Sequence, residues 1–120
     1  MKIEEASELF KLIADPNRLT ILRLLSKKLH MYANEMLPDL SCKQSTLSHH
    51  LSELVNSGLL NSNKKGNKVI YSLNIGKYNQ LTEFLMKVDR LNKKDNPIRV
   101  VDTPLVQKRE KQEKLPTFLL

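Results

Sequence analysis

Apolar positions recur at helical spacing through the first half of the chain, shift to a shorter rhythm in the middle, and return to helical spacing afterwards. Ile3, Ala6, Phe10, Ile13 and Ala14 mark a helix over residues 3–14. Asp15-Pro16 ends it and opens another, because Asp caps free backbone N–H groups and Pro presets φ for a first turn. Leu19, Leu22 and Leu25 give this second helix, over 16–27, its buried stripe. A short third helix is expected over Ala33–Leu37, stopped near Pro38. Residues 43–57 carry the clearest pattern, with Leu47, Leu51, Leu54 and Val55 on one face and Gly58 as a C-terminal stop. Ser41 and Gln44 have the spacing of a capping box, which would start that helix slightly early.

Beyond Gly58, Leu59–Asn63 and Lys68–Leu73 read as short strands, joined by Lys64-Lys65-Gly66-Asn67 as a hairpin tip. Tyr78, Leu81, Leu85 and Val88 predict a last helix over 77–92. After Asp95 the chain is polar and broken by Pro97, Pro104 and Pro116, which predicts a loosely ordered tail with a solvated helix at Lys108–Lys114. Leu115, Phe118, Leu119 and Leu120 are either a docking segment or a frayed end. The expected fold is mainly α with a small β-hairpin, in the order α-α-α-α-β-β-α. Residues 1–95 form the expected domain and 96–120 the tail.

Composition narrows the partner. The chain has 120 residues, enough for one domain with a modest core. Apolar residues are 40% and aromatics 5%, with no Trp, so the core should be aliphatic. Twenty Lys+Arg stand against 13 Asp+Glu, a formal charge of +7. A polyanion is therefore the first partner to consider, although charge alone does not choose among DNA, RNA and an anionic membrane. Cys42 is the single cysteine and cannot form an internal disulfide. With no stretch resembling a signal peptide or a membrane span, a cytoplasmic location and no membrane partner are expected.

The segment Ser45–His50, Ser-Thr-Leu-Ser-His-His, holds the distinctive chemistry. With Leu47 and Leu51 turned inward, a rotation of about 100° per residue places Ser45, Ser48, His49 and Ser52 on the opposite face. That face is uncharged and built of short side chains. It can approach a major groove closely, where hydroxyls and imidazoles reach base edges and phosphates. An ordinary solvated face would carry more charge. Gln44 and Lys43, in the first turn, reach a base and a phosphate. His50 borders the apolar face and reads as half-buried structure. Lys64, Lys65 and Lys68 around Gly66 give the hairpin a basic tip suited to phosphates, although basic hairpins are common on their own.

In this order and spacing the sequence resembles the ArsR/SmtB family of bacterial repressors. Leu9-Phe10-Lys11-Leu12-Ile13-Ala14-Asp15-Pro16-Asn17-Arg18-Leu19-Thr20-Ile21-Leu22 is similar to the family's opening. Gln44-Ser45-Thr46-Leu47-Ser48-His49-His50-Leu51 resembles its recognition helix. Gly58-Leu59-Leu60, Lys65-Gly66-Asn67 and Tyr71-Ser72-Leu73 resemble its strands and wing. The resemblance implies a winged helix-turn-helix repressor, a homodimer through its first and last helices. Two recognition helices would enter successive major grooves of an inverted-repeat operator, and an inducer would release them. The apolar stripes of the first and last helices exceed what one small core needs, which agrees with pairing. Residues and resemblance together assign contact with double-stranded DNA to Lys43, Gln44, Ser45, Thr46, Ser48, His49 and Ser52, and to Lys64, Lys65, Asn67 and Lys68.

The resemblance fails at the family's metal sites. Where a Cys-x-Cys pair would precede Glu35-Met36, this chain has Tyr32 and Asn34. Where Asp and His ligands would lie in the last helix, it has Asp89 and no His. His49 and His50 diverge by about 100° and cannot readily share an ion. No metal and no cofactor are expected, and the inducer is unknown. Two alternatives remain: a winged-helix protein-interaction module without DNA binding, or a redox-responsive regulator built on Cys42. An enzyme is not expected. Cys42 and His49 lie roughly 10 Å apart in helical rise, with no orienting acid.

Overall fold

The structure is a computed structural model describing residues 1–95, with side chains to residue 87. Its elements are α1 (Ile3–Ile13), α2 (Pro16–Lys28), β1 (Met31–Tyr32), α3 (Ala33–Met36), a 3₁₀ turn (Leu37–Asp39), α4 (Gln44–Asn56), β2 (Leu60–Lys65), β3 (Lys68–Leu73) and α5 (Ile75–Asp95). The chain divides into two units, Met1–Phe84 and Leu85–Leu120. The first holds every element through the opening turns of α5. The expected tail, with Lys108–Lys114 and Leu115–Leu120, lies outside the described residues, as does the Val88 side chain.

The α1–α2 corner forms as its sequence dictates. Asp15 is extended, at φ −150°, and its carboxylate accepts a hydrogen bond from the Arg18 N–H at 3.0 Å, with Pro16 starting the helix. The core is aliphatic, centred on Ile21, Leu25, Leu51, Leu54 and Leu59. One expected core residue is not there: Leu19 is 50% exposed, while Ile21 is fully buried. The inward stripe of α2 is Arg18, Ile21, Leu22 and Leu25, at i, i+3, i+4 and i+7. It opens with a charged residue, so a hydrophobic reading displaced it onto Leu19.

The expected capping box does not form. Lys43 is the N-cap of α4 and makes no side-chain cap bond. Ser41 is held elsewhere: its N–H donates to Asn17 Oδ1 at 2.9 Å, and Asn17 Nδ2 donates to its carbonyl at 3.5 Å. The loop before α4 is thereby fastened to the first turn of α2.

The hairpin has a third strand that the sequence did not announce. The sheet is antiparallel in the order β1-β3-β2, with Met31 opposite Tyr71 and Tyr32 opposite Ile70. The turn is tighter than expected. β2 runs on to Lys65, leaving Gly66-Asn67 as a two-residue loop, with Gly66 at φ 63° in the first central position as a II′ turn requires. Asn74 caps α5 through Oδ1, which accepts from the Lys77 N–H at 3.3 Å, so that helix begins at Ile75, before the expected Lys77.

α2 closes on strained backbone. Leu29 is its C-cap at φ 67° and ψ −48°, and the His30 N–H donates to the Lys28 carbonyl at 2.7 Å across it. This is a γ-turn, which disfavours any side chain bearing a Cβ. Leu29 is 63% exposed, so little packing offsets the strain. Leu29→Gly should raise stability by roughly 0.5–1 kcal/mol, the strain relieved less the entropy that glycine adds to the unfolded chain. A urea midpoint that falls would show the strain to be absent.

Candidate nucleic-acid interface

α4 divides cleanly by burial. Leu47, His50, Leu51 and Leu54 face the core, while Gln44, Ser45, Thr46, Ser48, His49 and Ser52 are exposed. Asn56, four residues beyond Ser52, is also exposed and extends the face by a turn. It is absent from the expected contact residues, although its i+4 spacing from Ser52 places it on their face. The exposed face of α4 bears hydroxyl, amide and imidazole groups and no formal charge. Lys43 stands exposed at the N-terminus, where the helix's own partial positive charge already favours anions.

The basic hairpin is split between two faces. In the β2–β3 register, Lys65 is opposite Lys68 and Lys64 is opposite Val69. Opposed residues share a face, so Lys65 and Lys68 lie together and Lys64 lies on the other side. Lys68 Nζ sits 5.5 Å from the centroid of the Tyr32 ring, a cation–π contact that holds it towards β1. Asn67 is exposed at the tip.

One polar anchor holds α4 from behind, and an ion pair lies over the turn that follows it. The anchor joins Asp15, Arg18 and His50. Arg18 Nε donates to His50 Nδ1 at 2.9 Å, and Arg18 Nη1 donates to the Leu12 carbonyl at 3.0 Å. His50 Nε2 lies 4.0 Å from Asp15 Oδ2. His50, expected half-buried at the border of the apolar face, is buried outright, and its partner Arg18 carries no signal in the apolar pattern. The ion pair is at the other end, beyond α4 itself. Gly58, at φ 90°, ends the turn after α4, and the Lys77 side-chain carbons lie 3.7–3.8 Å from where a Cβ there would stand. The Lys77 ammonium pairs with Glu5 of α1. That hydrogen bond and charge hold the Glu5 carboxyl below its ordinary value.

The other candidates are dispersed. Cys42 is half-buried beside the core, and His30 is exposed. His49 and His50 have ring centroids 6.3 Å apart, one ring outside and one inside. Tyr32 precedes α3 as its N-cap, and Asn34 is exposed. Among the described residues no three His, Cys, Asp or Glu side chains are grouped to hold a metal ion. No described helix is long and apolar enough to cross a membrane.

Comparison with known proteins agrees with this arrangement. Residues 15–62 match the model of the bacterial regulatory protein arsR family. The chain is 42% identical over 74 residues to an arsenical resistance operon repressor of Staphylococcus xylosus, covering 62% of this chain and 70% of that protein. It is 32% identical over 85 residues to the transcriptional repressor PagR of Bacillus anthracis, covering 71% and 85%. The crystal structure of PagR aligns at a TM-score of 0.57 and 31% identity, over 69% of this chain and 94% of that one. A crystal structure of an ArsR family transcriptional regulator aligns at a TM-score of 0.69 over 80% and 98%, with 19% identity, a likeness of fold.

Proposed function

The chain belongs to the arsR family of bacterial regulatory proteins, winged-helix DNA-binding regulators rather than enzymes, and we propose that it represses transcription as a homodimer on an inverted-repeat operator. The observation that carries the proposal is the exposed face of α4, uncharged and short enough to enter a major groove. Lys43, Gln44, Ser45, Thr46, Ser48, His49 and Ser52 are its reading surface. Lys64, Lys65, Asn67 and Lys68 of the hairpin hold the backbone of the duplex. Exposed Ile3 on α1 and Tyr78 on α5 supply apolar surface for pairing two chains through those helices. Release requires a signal that binds the DNA-competent and DNA-incompetent states unequally. Domain 1–95 suffices for these roles, with 96–120 as an appended tail.

The test is a footprint of the DNA upstream of the chain's own gene. Two protected half-sites about 34–36 Å apart, related by two-fold symmetry, are expected. Sedimentation should show two chains per duplex. An unprotected region at low salt, or one chain bound per site, overturns the reading.

The wing should behave as a phosphate clamp. Lys64→Ala with Lys65→Ala is expected to weaken binding about equally on operator and unrelated duplex. It should also lower the slope of log affinity against log salt by about 1–2. An unchanged slope would place both lysines away from phosphate.

A further inference from the structure

His50 is the buried polar side chain of the core among the described residues, at 8% exposure, and its partner is a cation. Replacing both partners of such a hydrogen bond by apolar groups of the same shape can be nearly neutral for stability. Directionality is what the bond adds. Arg keeps its protons throughout the accessible range, so Arg18 Nε is the donor and His50 Nδ1 the acceptor. The imidazole is therefore neutral in this bond, with its hydrogen on Nε2, the nitrogen turned towards Asp15. The same guanidinium holds the Leu12 carbonyl at the end of α1, and the same residue's N–H is capped by Asp15. One side chain thus ties α1 and α2 to the middle of α4.

Apolar burial has no preferred direction, so packing alone sets the roll of a helix less sharply than a hydrogen bond does. At the roughly 5 Å radius of a helix with its side chains, a roll of about 20° moves an outward hydroxyl by nearly 2 Å. That is well beyond the tolerance of a hydrogen bond. His50 is next to His49 and two residues from Ser48 and Ser52, so its anchor fixes the direction in which those side chains point.

We propose that Arg18 and His50 are positioning residues that set the roll of α4, and so carry sequence discrimination without touching DNA. This rests on the reading of α4 as the DNA-reading helix. The experiment compares affinity for the footprinted upstream duplex with affinity for a scrambled duplex of equal length, by fluorescence anisotropy, alongside thermal unfolding. Arg18→Met with His50→Leu replaces the pair by apolar residues and leaves only the Leu12 carbonyl, at the end of α1, without its donor. That variant should stay folded, bind the scrambled duplex as before, and lose about tenfold or more on the upstream duplex. His50→Asn, whose Oδ1 can stand where Nδ1 does, should retain the wild-type preference. Two results overturn the proposal: a folded double variant that still discriminates, or a folded His50→Asn that does not. A wild-type chain that prefers neither duplex overturns the DNA-reading assignment itself, and the proposal with it.

Discussion

Ser48→Ala combined with His49→Ala should lower affinity for the operator about a hundredfold and leave affinity for unrelated duplex nearly unchanged. Both side chains are exposed, so their removal should not disturb the fold. Neither carries a fixed charge, so the phosphate attraction that dominates nonspecific binding stays intact. What is lost is contact with base edges, each good one worth about 1–3 kcal/mol of discrimination. Two such contacts give the expected factor. Anisotropy titrations on the two duplexes at one salt concentration measure it. Equal losses on both would mean that α4 holds the backbone without reading sequence. The wing substitutions should give the opposite pattern, equal loss on both duplexes, so the two surfaces are separable by experiment.

The largest effect on stability is expected from Leu54→Ala, about 3 kcal/mol. Leu54 is fully buried on the inner face of α4, in the same aliphatic cluster as Leu51, Leu59 and Leu60. Truncation leaves a cavity between the helix and β2, which the surrounding aliphatic side chains can fill only partly. Against a total of about 5–15 kcal/mol for a domain, such a loss leaves a marginal protein. Urea unfolding at a fixed chain concentration should show a lower midpoint with an unchanged slope. A loss below about 1 kcal/mol would mean that α4 is not seated on the core as described.

The elements legible in the sequence were those governed by neighbours along the chain. Asp15-Pro16 specified a corner, Leu47, Leu51 and Leu54 specified the inward side of α4, and Gly66 marked the hairpin. β1 was invisible because Met31 and Tyr32 are too few to show a two-residue alternation, and they become a strand only by pairing with β3. Asn17 and Ser41, 24 positions apart, bond each other and displace the local capping box. Arg18 is the most instructive case. Hydrophobic periodicity excludes a charge from an inward stripe, and its partner His50 lies 32 positions away. Within the site, the uncharged face could be read from helical rotation alone. The division of the lysines between two faces depended on the strand register.

That register has a consequence for the protein in the absence of a ligand. Lys65 and Lys68 are opposite each other in the last pair before the turn, so their like charges weaken that pairing when nothing negative lies against it, even with the Lys68 ammonium leaning away over Tyr32. Part of its attraction for a polyanion is then relief of tension within the protein. Dilute salt should sharpen both, leaving the free hairpin less settled and its grip on a phosphate backbone firmer.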